Sequence, residues 1–290
     1  AQSYEISEDG KIYTFILKDE IYFHDRKPVT VDDVIFTIEK IRDPIIKSPR
    51  RISWEGVEII KVDEKTIQFI LRQTYSPFIQ NTTLGILPKH IWQEVSSEEF
   101  PFSQFNINPV GSGPYKIDSI VYSSGGLPKE YRLKSFKDYS FGRPYINKIN
   151  IKTFLNETDL IEAYNKGSVS SLYGISPQTI QNIKIPEGGL KITPLSRIFA
   201  IFLNQNSSPA LLRPEVRQAL DLATNKDEII NEVLSGYGQA INNPIPPSKI
   251  NSIQYSFSEE NIEKAKALLN ANGWKEDENG ILERISGTDK

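Results

Sequence analysis

The 290-residue sequence lacks several residue types whose chemistry would suggest a function. It has no cysteine, which excludes disulfides, thiolate catalysis and cysteine-ligated zinc sites. It has no methionine, not even at position 1, and it begins with Ala1 and Gln2 rather than with a basic and then apolar leader. We therefore expect a processed or excised piece of a longer chain, from which any signal peptide has been removed. Only two histidines are present, His24 and His90, which leaves little material for general acid–base catalysis.

A large net charge and long apolar runs are absent as well. Lys and Arg total 34 and Asp and Glu total 37, a net charge of −3, so we expect no nucleic-acid partner, which would require a basic excess to replace phosphate counterions. No run approaches the roughly 18 uninterrupted apolar residues of a membrane-spanning helix. The apolar share of 38% and the charged share of 24% are those of a soluble globular protein. At about 150 residues per domain, two domains are expected.

Predicted strands dominate residues 1–190 and predicted helices dominate the rest, which places a domain boundary near residues 194–204. β-Branched and aromatic runs bounded by turn signals predict strands at residues 11–17, 21–23, 56–62, 65–71, 115–121, 130–136, 146–154 and 198–203. Capping residues predict helices after Thr30, after Asn156 or Thr158, after Asn225 and after Ser258, and Pro214 predicts the first position of another helix. A proline-rich link at residues 243–248 is predicted to be extended.

Two short motifs could carry catalytic chemistry, but each has a structural explanation. His24 and Asp25 could form an orienting pair for a general base, whereas a histidine at a strand end beside a turn needs no chemistry. No Gly-x-Ser-x-Gly elbow is present, so a hydrolase triad has no support. Residues 111–114 (GSGP) precede a predicted strand rather than a helix, and Pro114 removes a backbone donor. This glycine cluster is therefore predicted to be a tight backbone passage and not a phosphate cradle.

The acidic residues do not predict a metal site either. Asp32 and Asp33 lie on different faces of a predicted helix, and both complement the positive end of its dipole. Residues 277–280 (DENG) lack the spacing of a calcium loop and predict a hairpin turn. We expect no metal and no cofactor. Aromatic residues in predicted loops suit apolar or peptide ligands. These loop aromatics are Tyr75, Phe78, Phe102, Phe105, Tyr139 and Tyr173.

Four stretches, in order along the chain, match the sequence motifs of one family. Residues 3–15 (SYEISEDGKIYTF) resemble its SWEISDDGKTYTF, and residues 22–34 resemble its FHDGKPVTADDV, with Arg26 where the family usually has glycine. Residues 108–115 (NPVGSGPY) resemble NPVGTGPY, and residues 213–230 resemble the successive DVRVRQAL and DRDAII segments. The family is the bacterial extracellular solute-binding proteins of family 5, which serve ABC importers for peptides, dipeptides and nickel.

The sequence departs from the family pattern in two respects. The family usually has SGEVDI after the helix near Tyr164, whereas residues 166–173 (KGSVSSLY) lack both acids. Because this segment leads into the cleft in relatives, a different ligand preference is expected. Relatives are also much longer, so the chain is expected to begin after the first strands and to stop inside the second lobe. In peptide-binding relatives, the groups that pair the ligand's amine and carboxylate lie beyond residue 290 and cannot be assigned here.

The resemblance implies an α/β, periplasmic-binding-protein-like fold (class II, cluster C type) with two lobes and hinge crossings, here incomplete. Residues 1–195 would form most of a β-rich first lobe, without its N-terminal strands, and residues 196–290 the start of an α-rich second lobe. The implied function is non-enzymatic: a monomer, periplasmic or extracellular and compatible with a lipid anchor, captures a peptide-like solute for a membrane permease. Nickel, haem or oligosaccharide binding, a structural or chaperone-like domain, and a hydrolase are the alternatives.

Three segments are assigned as ligand contacts by the same resemblance. The first, residues 173–175, would offer backbone groups and one aromatic ring to the ligand. The second, residues 199–205, would line the crossing between the two lobes and reach the hinge. The third is a loop tyrosine, which would form one wall of the cleft. A plain turn in the first segment and an ordinary buried strand in the second are the alternative interpretations. The assigned residues are Tyr173, Gly174, Ile175, Phe199, Ile201, Asn204, Gln205 and Tyr75.

Overall fold

The strand patterns of residues 3–70 form one antiparallel sheet in the computed structural model of the chain, which describes residues 1–186, 189–191, 197–243 and 257–284. The strands are β1 (Ser3–Ile6), β2 (Ile12–Ile16), β3 (Glu58–Lys61) and β4 (Thr66–Ile70), in the order β1-β2-β4-β3. The predicted strand in β2 and the predicted hairpin of β3 and β4 are confirmed. β1 was not among the predicted strands, and the predicted strand at residues 21–23 forms only a bridge between Tyr22 and Pro28.

Four helices accompany this sheet, and a buried carboxylate joins two of them. They are α1 (Val31–Arg42), α2 (Arg51–Trp54), α3 (Phe78–Asn81) and α4 (Lys89–Trp92), with 3₁₀ turns at Phe100–Phe102 and Gln104–Asn106. Asp33 Oδ2 accepts hydrogen bonds from the Thr30 N–H at 2.8 Å and the Thr30 hydroxyl at 2.7 Å. Its Oδ1 accepts from the Lys89 N–H at 2.8 Å. Asp33 therefore connects the starts of α1 and α4, a role beyond the predicted dipole complementarity.

The core lies between the sheet and these helices. Tyr13 and Phe69 are directly opposed on β2 and β4, and Ile67 lies two residues from Phe69, so all three side chains share the inner face. Trp54 packs edge-on against Phe69 and Phe78 with ring centroids 5.3 Å apart in both pairs, and Phe78 packs against Tyr13 at 4.9 Å. Phe78, predicted as a loop aromatic, is 1% exposed and belongs to this core, so that prediction is wrong.

A second, three-stranded antiparallel sheet follows. Its strands are β5 (Tyr115–Tyr122), β6 (Pro128–Ser135) and β7 (Lys148–Lys152), in the order β5-β6-β7. The predicted hairpin and the strand after it are confirmed. Tyr131 and Leu133 of β6 oppose Ile151 and Ile149 of β7, so one face is apolar, whereas the alternate positions are mostly charged.

The chain divides into two compact units, Ala1–Leu155 and Asn156–Lys290. The second unit contains α5 (Glu157–Asn165), α6 (Pro214–Ala223), α7 (Lys226–Leu234), α8 (Glu259–Ala271) and the hairpin strands β8 (Trp274–Glu276) and β9 (Leu282–Arg284). The predicted caps Asn156 and Asn225 accept from the N–H groups of Asp159 at 2.9 Å and Glu228 at 3.2 Å. The predicted lobes, 1–195 and 196–290, are divisions of a larger protein, and their boundary stays a prediction.

The predicted strand at residues 198–203 is not formed. Residues 197–204 carry no strand assignment, and Phe199, Ile201 and Phe202 are 77%, 83% and 92% exposed. Side chains give this segment β propensity, but a strand also requires a neighbour to complete its backbone hydrogen bonds. Among the described strands none pairs with it. The buried-strand interpretation of Phe199 and Ile201 is therefore wrong for this structure. Most of the proline-rich link, from residue 244, lies outside the described residues.

Candidate functional site

Tyr75 lies in the loop between β4 and α3, on a backbone anchored to the core. Its carbonyl accepts from the Tyr13 hydroxyl at 3.4 Å and from the Phe78 N–H at 2.9 Å. Both donors belong to buried aromatic residues. The Tyr75 side chain itself is 54% exposed. A ring that is exposed on a fixed backbone is suited to contact a ligand, because little backbone entropy is lost on binding.

The segment at residues 173–175 is a turn held at one end by α5. Tyr173 is 95% exposed, and Gly174 has φ +76°, a left-handed conformation that favours glycine. The next residue, Ser176, donates from its N–H and its hydroxyl to the Glu157 carboxylate, both at 2.7 Å. These hydrogen bonds lower the pKa of Glu157 from its ordinary value. This anchor was not predicted, since Glu157 and Ser176 are far apart in the sequence.

The predicted segment at residues 199–205 carries no helix or strand assignment and ends in a turn that begins at Asn204. The Asn204 carbonyl accepts from the N–H and the hydroxyl of Ser207 at 3.1 and 2.8 Å, and its side-chain oxygen accepts from the Asn206 N–H at 3.0 Å. Gln205 lies in this turn. Among the described residues of the second unit, no hydrogen bond or ring contact joins residues 173–175 to residues 199–205. Their assignment as ligand contacts stays a prediction.

Two motifs that the sequence presents separately, His24 and the glycine cluster, are in contact. The His24 N–H donates to the Gly111 carbonyl at 2.8 Å, and the Gly111 N–H donates to His24 Nδ1 at 3.3 Å. His24 Nε2 lies 3.0 Å from the Gly113 carbonyl. Because Nδ1 accepts, we assign the ring proton to Nε2, from which it is donated to Gly113. The glycine cluster is thus a tight stretch of backbone that is held by hydrogen bonds to a neutral His24. As predicted, β5 begins directly after it.

Asp25 does not orient His24 as a general-base pair would require. Its Oδ2 lies 2.7 Å from Nε2 of His90 on α4, and its Oδ1 accepts from the Lys27 N–H at 3.2 Å. The His90 ring packs edge-on against the fully buried Phe23 at a centroid distance of 5.8 Å. Both histidines of the chain therefore bind protein groups, which gives each a structural role.

Two grooves of the first unit are lined largely by charged or polar side chains, unlike a typical ligand pocket. One groove of about 550 Å³ is lined by Arg42, Arg51, Arg72, Glu55 and Glu58 among others. Another of about 590 Å³ is lined mainly by charged residues and tyrosines near Lys18 and Asp138. Pockets for small molecules are usually lined mostly by apolar groups, and none of the predicted contact residues lines either groove.

Metal chemistry and membrane crossing find no support in the part of the chain that the structure describes. No group of three or more His, Asp or Glu side chains there is arranged to hold a metal ion. Across the same ranges, every helix is too short or too polar to span a bilayer.

Comparison with known proteins connects this architecture to a family. The model of the bacterial extracellular solute-binding proteins, family 5 middle, matches residues 1–289. The oligopeptide-binding protein AppA of Bacillus subtilis is 28% identical over 293 residues, which cover 98% of this chain and 53% of AppA. The dipeptide-binding protein of Escherichia coli is 28% identical over 301 residues, covering 94% and 54%. The structure of Bacillus subtilis AppA in complex with a nonapeptide matches with a TM-score of 0.64 at 25% identity, covering 98% and 56%.

These matches confirm the predicted family and the periplasmic-binding-protein-like fold. The chain spans about half the length of the curated relatives it matches. The matched relatives are named as binding proteins and not as enzymes. The chain belongs to the bacterial extracellular solute-binding proteins of family 5.

Proposed function

We propose that this chain is part of the substrate-binding component of an ABC importer, which captures a peptide-like solute between two lobes for delivery to a membrane permease. The observation that carries the proposal is the family match over residues 1–289, joined to relatives that are named for oligopeptide and dipeptide binding. Because the chain spans about half of those relatives, the proposal concerns the complete gene product.

The segment at residues 198–203, which is not part of any described helix or strand, supports a peptide as the ligand. Among the described residues, its backbone N–H and carbonyl groups make no hydrogen bonds. An extended peptide can align with such a segment, so that main-chain hydrogen bonds give affinity for many sequences. Phe199 and Ile201 are two residues apart, so in an extended chain their side chains point to the same side. In the proposed complex they contact the ligand's side chains.

Tyr75 and Tyr173 are proposed to contribute exposed rings. Each ring can cover a large apolar area of a ligand while its hydroxyl stays in water. Gly174 has no Cβ, so a ligand backbone can approach its main chain closely. Asn204 and Gln205 are proposed to lie at the hinge, whose motion the ligand would bias by binding the closed state more tightly.

The proposed setting is outside the cytoplasmic membrane, in the periplasm or the extracellular space, with the permease as protein partner. We propose that the protein acts as a monomer. The net charge of −3 gives no basic surface excess for nucleic acid, which agrees with a small solute as the ligand.

Native mass spectrometry of the complete gene product tests the ligand class. Purified from its host without refolding, the protein is expected to carry short peptides of mixed sequence. Finding only nickel, haem or an oligosaccharide would contradict the peptide assignment while leaving the family unchanged. Nothing in the described residues favours nickel, since His24 and His90 both bind protein groups.

The predicted contacts are tested by alanine substitution in the same protein. Phe199→Ala and Ile201→Ala are each expected to weaken peptide binding by about tenfold or more, the effect of removing an anchoring side chain from an interface. Ile52→Ala is the matched control for Ile201→Ala, because Ile52 is 84% exposed and lies outside the assigned segments. Calorimetric affinities that are equal for all three variants would contradict the assignment.

A further inference from the structure

The two sheets of the first unit are joined through a short stretch, residues 18–26. Among the described residues, every hydrogen bond, ion pair and ring contact between residues 1–92 and 111–155 involves this stretch. We call this set of contacts the seam. It is the place at which the three-stranded sheet is attached to the four-stranded sheet and its helices.

Residues 18–26 contribute three side chains to the seam, and two of them are long cations. Lys18 Nζ donates to the Ser140 carbonyl at 3.4 Å and lies 4.0 Å from the centre of the Phe141 ring. Arg26 Nε lies 3.4 Å from the Asp138 carboxylate, with side chains 77% and 42% exposed. Exposed pairs of this kind contribute little to stability. The third side chain, His24, makes the more enclosed set of contacts.

His24 contacts the second sheet with its backbone and with both ring nitrogens. Besides its bonds to Gly111 and Gly113, its carbonyl accepts from Lys116 Nζ at 3.2 Å, and its ring packs edge-on against the buried Phe136 at 5.1 Å. The Nδ1 bond requires an unprotonated nitrogen facing the Gly111 N–H. A proton added at Nδ1 would place this N–H against the Gly111 N–H, and two donors cannot form a hydrogen bond. The contact therefore forms only when the ring is neutral.

We propose that His24 is a pH-sensitive clasp, whose protonation at Nδ1 breaks the contact with Gly111 and loosens the attachment between the two sheets of the first unit. This role is independent of the proposed ligand and concerns a conformational equilibrium within the unit. The bond that breaks is the Gly111 N–H···Nδ1 hydrogen bond, and the proton comes from solvent. Nε2 keeps its proton and its contact with Gly113.

The charges around His24 favour the neutral ring. The pKa of His24 is lowered from its ordinary value, mainly by burial and further by the positive charge of Lys116. The hydrogen bond to Gly113 and the charge of Asp25 act in the opposite direction and raise the pKa. Asp25 is itself bound to His90, and Asp138 to Arg26. Because the folded pKa is lowered, the clasp is complete above the ordinary histidine pKa of about 6.5. It is lost as the pH falls through the folded pKa.

Nitrogen-15 NMR of the histidine rings in the intact chain tests the clasp directly. At pH 7.5, His24 is expected to show an unprotonated Nδ1 and a protonated Nε2, and its titration midpoint is expected to lie below that of a histidine in a short peptide. The protection of the Gly111 amide against hydrogen exchange, corrected for intrinsic rates, should fall by up to about tenfold for each pH unit between the ordinary histidine pKa of about 6.5 and that midpoint, and level off below it. A proton on Nδ1 at pH 7.5, or protection that does not change with pH, would overturn the proposal.

Two variants distinguish the contribution of His24 to the pH response from that of His90. His24→Gln removes the titration, so the Gly111 amide should lose its pH-dependent change in protection. His90→Gln should keep that change, because His90 contacts Asp25 and not the glycine cluster. If His24→Gln does not fold, the tautomer and midpoint of the wild-type ring decide the question. A pH response that survives His24→Gln but disappears in His90→Gln would contradict the clasp.

Discussion

Asp33 offers a sharp test of the packing of the first unit, because the sequence and the structure explain it differently. The sequence explains Asp33 by its place near the positive end of the dipole of α1, which it shares with Asp32. In the structure Asp33 is 5% exposed and accepts three hydrogen bonds, from the N–H and hydroxyl of Thr30 and from the Lys89 N–H. Asp32 instead pairs with Lys61 at 3.0 Å, with side chains 46% and 30% exposed.

The substitution Asp33→Ala is expected to destabilise the first unit by about 3 kcal/mol. Loss of the hydrogen bonds at the start of a helix costs about 1 kcal/mol. Losing the hydrogen bond from the Lys89 N–H to the charged carboxylate costs about 2 kcal/mol more. Asp32→Ala is expected to cost less than about 1 kcal/mol, since it removes an exposed ion pair and a dipole interaction. Asp33→Asn, which keeps one acceptor oxygen, is expected to lie between them.

Urea denaturation followed by tryptophan fluorescence measures these differences, since Trp54 and Trp92 are both buried in the first unit. The comparison between neighbouring residues is the decisive one, because both share the dipole of α1. Equal losses for Asp32→Ala and Asp33→Ala would refute the reasoning from hydrogen bonds and support the dipole as the sole contribution.

Three further predictions concern the core, a turn and a site segment. In urea denaturation, Phe78→Ala should lower the free energy of unfolding by about 3–5 kcal/mol, and Tyr75→Ala should lower it by less than about 0.5 kcal/mol, because only Phe78 of the two is buried. Similar losses for the two variants would contradict the core assignment. Gly56→Ala should lower the free energy of unfolding by more than about 1 kcal/mol, since Gly56 has φ +74° and a Cβ would lie 3.1 Å from Arg72 Nε. An unchanged stability would contradict the requirement for glycine at this turn. Glu157→Gln should reduce the protection of the Ser176 amide against hydrogen exchange, and in wild type that protection, corrected for intrinsic rates, should fall as the pH falls through the lowered Glu157 pKa; equal protection in both proteins would contradict the anchor.

Local signals were sufficient for most helices and hairpins. The caps Asn156 and Asn225 bond N–H groups three residues away, and the side-chain patterns of β2, β5 and β6 are visible within each strand, so the sequence contains these signals. The family was also predictable, because its motifs are short and occur in a fixed order. The site is a different case: the positions of Tyr173 and Phe199 followed from resemblance alone, and their assignment as ligand contacts stays a prediction.

The sequence by itself determined where helices begin and strands alternate, which family the chain belongs to, and that cysteine and an excess of positive charge play no part. Only the tertiary structure decided which distant groups meet: Gly111 with His24, Lys89 with Asp33, and Ser176 with Glu157. It also decided that Phe78 is buried and that residues 198–203 form no strand. The physical reason is that propensity is a property of one residue and its neighbours, whereas burial and hydrogen bonding require a partner that the fold alone brings close.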